Sequence, residues 1–462
     1  MDPAPRLFGT NGIREVVGEG LTAPFVTAVA EGIAAQCPPG APIVLGWDGR
    51  TSSVPFARVV GAVLALAGHR VIEVGLLPTP AIQLSVRRLG AQLGVIVTAS
   101  HNPREFNGVK CIAADGLEIT RATEAAIEAA VAARSTAAVP YDRVGSIVAD
   151  AHGARAYVDG ILAHVDADRI REHRFSIVLD CGNGASVPTS PVLLHRLGCR
   201  VVTLNGHVDG TFPGHLSEPT EANLQDLVRV VPAAEADLGI AHDGDADRAV
   251  FVQANGRFVP GEEILTLLAQ DAVERHRGGL VVSPVSASQA VEEAVRPFGG
   301  RVIYTRVGSP SVTHAMQEHG AVFGGEENGG LIFPAFQLAR DGAMTAASVL
   351  DLLARKEAPL DRLLAELPHY TMIKEKVACP VEARDRVLAA AQRRLEARAE
   401  RIETIDGVKA YFATGWLLLR PSGTEPLFRV FAEAKTADRA RALADEGLGA
   451  IREALGAIGR AP

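Results

Sequence analysis

The stretch LGVIVTASHNP, from Leu93 to Pro103, carries an apolar run straight into a serine, a histidine and an Asn-Pro pair. A short run with no polar face reads as a strand buried on both sides. Asn-Pro is turn chemistry, because proline fixes φ and pushes the residue before it out of the helical region. Such a strand end is either an ordinary connection or a device that delivers a hydroxyl to a site.

Working outward from this stretch, the pattern has company. PIVLGWD (Pro42 to Asp48), FSIVLDCG (Phe175 to Gly182) and GLVVSPVS (Gly279 to Ser286) each open a segment of the chain. Each is followed by an Ala-, Leu- and Val-rich helical stretch and then by a second strand: HRVIEVG, CRVVTLNG and GRVIYTRVG. A third strand closes each set. LGVIV runs into TASHNP, DLGIAH into DGDADR, and AVF into GGEENGG. Short apolar runs separated by helices are the signature of βαβ units with parallel strands. In open α/β sheets, ligands gather at the carboxyl ends of the strands, so three such loops are expected to converge on one cleft if the units face one another.

After about residue 370 the texture changes. A helical run (VLAAAQRRLEARAERI) precedes a hairpin (DGVKAYFATGWLLLR), the loop PSGTEP, the strand LFRVFAEAK and a final amphipathic helix. The expectation is three related α/β domains with mixed, mostly parallel sheets (1–150, 151–255 and 256–369) and a C-terminal α+β domain (370–462).

A chain of 462 residues fits three or four domains of ordinary size. Its net charge of −8 argues against a dedicated nucleic-acid surface. The N-terminus lacks the apolar core of a signal peptide, and the longest apolar stretches fall short of a membrane span, so a soluble cytoplasmic protein is expected. The five cysteines are scattered, with no C-x-x-C pair, and read as buried thiols.

Four loops carry groups with phosphate or metal chemistry. DGDADR sets Asp243, Asp245 and Asp247 at alternate positions, which in an extended segment point the same way and can close on one hard cation. An EF-hand is excluded, because its sixth and twelfth positions would be Arg248 and Ala254 rather than glycine and glutamate. The other reading is a solvated acidic turn. Close carboxylates repel one another, and a bound Mg²⁺ would relieve that repulsion. Arg248 adjoins them within reach of a phosphoryl oxygen. RPSGTEP offers Arg420, Ser422, Gly423 and Thr424, a set suited to a phosphate dianion or else a plain tight turn. GGEENGG places Glu326 and Asn328 between glycines, where they suit vicinal sugar hydroxyls. FGTNGIR adds Arg14 behind a Gly-rich turn. A serine beside three aspartates and a metal is suited to carry a phosphoryl group covalently. A phosphate oxygen on Ser100 would then be a fourth metal ligand, with His101 and Asn102 framing the phosphate.

TASHNP, DGDADR, GEENGG and RPSGTEP in that order, with FGTNGIR before them and EFNGVK after the serine, resemble the α-D-phosphohexomutases, the phosphomannomutase and phosphoglucomutase superfamily. The resemblance covers essentially the whole chain and implies four domains around a deep central cleft. It implies reversible phosphoryl transfer between the 1- and 6-positions of a mannose or glucose phosphate, through a phosphoserine and a hexose 1,6-bisphosphate. Carried over, Ser100 is the phosphoserine, and Asp243, Asp245 and Asp247 bind Mg²⁺. Glu326 and Asn328 meet the sugar, and Arg420, Ser422, Gly423 and Thr424 hold its distal phosphate. Arg14, His101, Lys110 and Arg248 line the reacting end. Lys110 is expected to do general acid–base work, as a lysine whose pKa is lowered by crowding cations. The expected partners are small sugar phosphates, with neither nucleic acid nor membrane, in a monomer or homo-oligomer.

One departure stands out. Many members end the sugar loop in Ser-Gly-His, whereas this chain has Asn-Gly-Gly, so Gly330 offers no imidazole. The form GGEENGGLIFP resembles the archaeal branch, which includes phosphoglucosamine mutases, and that activity is the alternative. A metal-dependent sugar phosphatase and a non-catalytic sugar-phosphate binder are the more distant readings.

Overall fold

The computed structural model describes residues 6–422 and 426–458. Three of its four sheets share one plan. In the first unit, Pro42–Trp47 lies between Arg70–Leu76 and Leu93–Val97, parallel to both, and Phe106–Ala113 returns antiparallel beside Leu93–Val97. In the second, Ser176–Asp180 lies between Arg200–Leu204 and Leu238–His242, with Ala249–Gln253 returning antiparallel. In the third, Gly279–Pro284 lies between Gly300–Thr305 and Phe323–Gly325, with Leu331–Phe333 returning antiparallel. The strands expected from the sequence are all present, in equivalent positions. The first sheet is extended by Ile13–Val16 on one edge and by Ser146–Ala149 on the other.

This plan explains where the polar loops fall. TASHNP, DGDADR and GEENGG each span the hairpin at which a sheet switches from parallel to antiparallel pairing. Leu93–Val97 and Leu238–His242 are buried along their whole length, so each delivers its loop from a rigid strand end.

The fourth domain is an antiparallel sheet of five strands, from Thr371–Ala378 to Leu427–Ala434, covered by the helices Arg384–Glu396 and Ala437–Ile458. It has its own core around Leu417, Leu419, Phe428 and Leu443. It joins the third domain through a smaller cluster in which Trp416 and Leu418 meet Val285. Lys409 is buried there. Its Nζ donates to the Val285 carbonyl at 2.7 Å and lies 3.8 Å from the centre of the Trp416 ring. Four of the cysteines are buried and Cys37 is half-buried, all as free thiols. Among the described residues no helix is long and apolar enough to cross a membrane.

The first three domains share one continuous core. Its pillar is the helix Gly342–Lys356, which is buried on nearly every side. The N-cap of that helix is a junction of all three domains. Asp341 Oδ1 accepts from Met344 N at 2.9 Å and from the Tyr157 hydroxyl at 2.5 Å. Its Oδ2 accepts from Gln337 Nε2 at 2.9 Å, and the same Nε2 donates to the Pro80 carbonyl at 3.2 Å. Burial pushes the Asp341 carboxyl up to about 6, although these donors oppose the shift.

A carboxyl that titrates near 6 when folded and near ~3.9 when unfolded binds its proton earlier in the folded chain. The contribution of Asp341 to stability therefore grows as the pH falls through that window and shrinks as the pH rises. Asp341→Asn keeps a cap oxygen and has no such titration. Thermal midpoints of the two proteins, followed by circular dichroism, should diverge in wild type's favour between pH 7 and pH 4. A difference independent of pH would show that ionisation of Asp341 does not control this junction.

Candidate active site

Ser100 stands at the end of its strand with φ at 52°, in the left-handed region that side chains seldom adopt, and it is fully buried. Its N–H donates to Thr98 Oγ1 at 2.9 Å. The loop around it is riveted by Arg50, whose Nη1 donates to the carbonyls of Pro103 and Phe106 and whose Nη2 donates to those of Ser100 and Asn102, all at 2.6–2.9 Å. Asp48 fixes Arg50 in turn and also accepts from Ser53 and Thr98. Phe212, on a long loop of the second domain, lies under the Arg50 guanidinium at 5.2 Å, and Ser217 Oγ donates to the Asn102 carbonyl at 2.8 Å. Sequence reasoning missed Asp48 and Arg50. Their signal was a charged pair directly after the buried strand Pro42–Trp47.

Ser100 Oγ donates to Asp243 Oδ2 at 3.1 Å. Asp243, Asp245 and Asp247 are all buried, and each offers an oxygen within 4.8 Å of the others. Burial, then the charges of Asp247 and Asp245, push the Asp243 carboxyl well above the usual range. Burial works to raise Asp245 too. The Lys110 ammonium, Thr79 and Arg14 outweigh it and hold Asp245 below that range. Asp245 Oδ2 accepts from Lys110 Nζ at 2.8 Å and from Thr79 Oγ1 at 2.7 Å. The nearest ionic partners of the Lys110 ammonium are therefore the carboxylates of Asp245 and, at 3.6 Å, Asp247. The expectation of crowding cations left these partners out: the first domain's lysine is a counter-charge to the second domain's loop.

Arg14 Nη1 donates to Asn102 Oδ1 at 2.8 Å, and burial pulls the guanidinium down to about 10. Arg248 Nη2 donates to His101 Nδ1 at 2.9 Å, and its Nε lies within 3.8 Å of Asp243 and Asp247. The Arg248 charge and then burial hold His101 far below the usual imidazole range, so it stays neutral with its proton on Nε2. His101 Nδ1 lies 3.4 Å from Ser100 Oγ.

The third loop joins this group through a residue that motif reading missed. Arg340 Nη1 donates to Glu326 Oε2 at 2.8 Å, and its Nη2 donates to Asp247. Glu326 Oε1 accepts from Gly308 N at 3.1 Å. Burial raises the Glu326 carboxyl and Arg340 opposes that shift. Asn328 turns back on its own loop, its Oδ1 accepting from Gly330 N at 3.2 Å. Arg420 belongs to the fourth domain's strand Gly415–Pro421. Its Nε donates to Asp406 Oδ2 at 2.6 Å, and the same oxygen accepts from Val307 N at 3.1 Å, beside Gly308. Ser422 is buried, while Gly423 and Thr424 lie outside the described residues.

The donor set suits a hard divalent cation such as Mg²⁺. It is made of carboxylate oxygens, and Asp245 Oδ1 and Asp247 Oδ1 are buried without a hydrogen-bond partner. Four cationic side chains surround the group, a setting that favours a phosphoryl dianion.

The comparisons with known proteins agree with this geometry. Phosphoglucomutase/phosphomannomutase alpha/beta/alpha domain I matches residues 5–138, domain II residues 155–256, domain III residues 260–370 and the C-terminal domain residues 375–449. A probable phosphoglucosamine mutase of Methanopyrus kandleri is 40% identical over 452 residues, which span 97% of this chain and 98% of that one. A phosphoglucomutase/phosphomannomutase of Thermococcus kodakarensis is 36% identical over 454 residues, 97% and 99% of the two chains. Among solved structures, a phosphoglucomutase/phosphomannomutase family protein of Burkholderia thailandensis superposes with a TM-score of 0.86 at 27% identity, covering 97% of each chain. With all four domains matched in order, this chain belongs to the phosphoglucomutase/phosphomannomutase family of the α-D-phosphohexomutase superfamily.

Proposed function

We propose that this protein moves a phosphoryl group between the 1- and 6-positions of mannose and glucose phosphates, with Ser100 as the phosphoryl carrier. The observation that carries the reading is Ser100 Oγ, 3.1 Å from Asp243 within a buried acidic trio ringed by Lys110, Arg14 and Arg248. A phosphorylated Ser100 gives up its group as the P–Oγ bond breaks and a bond forms from phosphorus to a sugar hydroxyl oxygen. The resulting hexose 1,6-bisphosphate turns and returns its other phosphoryl to Ser100. Lys110 is assigned the hydroxyl proton, which it can accept only in a state where Asp245 and Asp247 have turned from its amine to a cation. Arg14, Arg248 and neutral His101 hold the phosphoryl oxygens. Asp243, Asp245, Asp247 and Ser100 would hold Mg²⁺, which when bound offsets the charge of the transferring group. Glu326 and Asn328 are assigned to the sugar hydroxyls, and Arg420, Ser422, Gly423 and Thr424 to the distal phosphate. Arg50 sets the angle of attack by fixing four carbonyls of the serine loop.

The names of the relatives favour a second reading about equally, a phosphoglucosamine mutase with the same residues in the same roles. A panel of mannose, glucose and glucosamine 1-phosphates, with Mg²⁺ and a trace of hexose bisphosphate, separates the two by phosphorus NMR. The proposal expects fast conversion of mannose and glucose to their 6-phosphates. Preference for glucosamine would select the second reading, and inorganic phosphate as the main product would indicate a phosphatase.

Ser100→Ala should abolish isomerisation while leaving the circular dichroism spectrum unchanged, and full activity would sink the mechanism. Asp245→Asn should weaken Mg²⁺ binding by calorimetry, and an unchanged titration would place the metal elsewhere. Arg50→Met touches no acidic residue of the trio, yet it should lower kcat by about 10²-fold, the cost of an ångström-scale misplacement of the serine. Wild-type kcat in that variant would show that the loop holds its shape without the rivet.

A further inference from the structure

Gly330 and Arg340 face each other across the third-domain hairpin. Ile332 pairs with Arg340, and the Asp341 N–H donates to the Leu331 carbonyl at 2.9 Å, so the backbone beneath Arg340 is fixed. A Cβ placed on Gly330 would lie 2.4 Å from Arg340 Cδ and 3.2 Å from its Cγ. The side chain beyond that point cannot swing away freely, because its two Nη atoms are held by Glu326 and Asp247. Backbone conformation does not demand glycine at 330, which is absent from the positive-φ residues. The room over Gly330 is filled by the arginine stem.

We propose that Arg340 is the positioning residue that sets the sugar loop against the acidic trio, and that Gly330 is the opening through which it reaches both. The inference rests on the phosphohexomutase reading for what Glu326 binds, and on geometry alone for the link between position 330 and Asp247. A planar guanidinium holds two carboxylates in a fixed fork, which an ammonium or an imidazole cannot do in the same way. Arg340 thereby holds the Glu326 carboxylate in place and also sets a positive charge against the group that takes the divalent cation. The two effects oppose each other. Sugar orientation is improved, and affinity for the cation is lowered.

This opposition supplies a test that general damage to the fold does not mimic. Mn²⁺ binding would be measured by electron paramagnetic resonance on wild type, Arg340→Met, Gly330→Ala and the double variant. Turnover of the hexose phosphate would be followed in parallel. Arg340→Met should bind Mn²⁺ about tenfold more tightly, as expected on removing a unit charge a few ångströms away, while its KM for the sugar phosphate rises. Gly330→Ala should shift both quantities in the same directions by displacing the guanidinium. It should add little in the Arg340→Met background, because neighbouring groups that act through one contact are not additive. Arg340→Lys, which keeps the charge, should retain Mn²⁺ affinity near that of wild type and still raise KM.

Wild-type Mn²⁺ affinity in Gly330→Ala would overturn the proposal. So would a Gly330→Ala effect that adds in full to that of Arg340→Met, or a weakening of both metal and sugar in Arg340→Met. Absence of turnover with every hexose phosphate would remove the functional reading, and the Mn²⁺ measurements would still decide the link between Gly330 and Asp247.

Discussion

Three carboxylates buried within 4.8 Å of one another are the constraint around which this protein is arranged. An ionised carboxylate withdrawn from water costs several kcal/mol unless a counter-charge accompanies it. One domain does not supply the balance here. Arg14 and Lys110 come from the first domain, Arg248 from the second and Arg340 from the third. The charge problem of a single loop is thus solved only when three domains meet. The shared core around the helix Gly342–Lys356 holds them in that arrangement. Hydrophobic burial is the main favourable term in such a core, and the ionic cluster adds contacts between charged groups of all three domains.

The repeated sheet plan explains why the loops are capable of this. Each lies where a parallel strand gives way to an antiparallel one, so both ends of the loop are anchored in the same sheet. Short anchored loops tolerate strain that a long loop would release. Ser100 and Ala246 both sit in the left-handed region without being glycine. The first is kept there by Arg50 and Thr98. Ala246 N donates to the Asp243 carbonyl, and the Ala246 carbonyl accepts from Gly342 N, at the start of the pillar helix.

The strands, the order of the loops and the contiguous motifs were legible in the sequence, because each is a local pattern of apolar and polar residues. Ser100, His101, Lys110, Arg14, Arg248 and the three aspartates do gather, as their motifs implied. What was illegible acts over distance. Thr79 reaches Asp245 from the start of a helix in another domain, Arg340 reaches Asp247 from a neighbouring sheet, and Asp406 connects the fourth domain to Val307. None of these has a spacing rule that would reveal it. The ion pairs of Lys110 were illegible for the same reason. Its partner Asp245 is 135 residues away and belongs to another domain.

These distant contacts also join the two ends of the site. From Arg420 the line runs through Asp406 to Val307 N, along the backbone to Gly308 N, and on to Glu326, Arg340 and Asp247. Every link beyond the backbone step between Val307 and Gly308 is charge-assisted, the kind of hydrogen bond that is strongest away from water. At the backbone step, Gly308 is the N-cap of the helix Ser309–His319. An anion arriving at Arg420 competes with Asp406 for that guanidinium. A cation arriving at the trio competes with Arg340 for Asp247. Glu326 lies between the two, so its loop is tied on one side to Gly308, next to the Val307 that Asp406 and Arg420 hold, and on the other to Arg340 and Asp247.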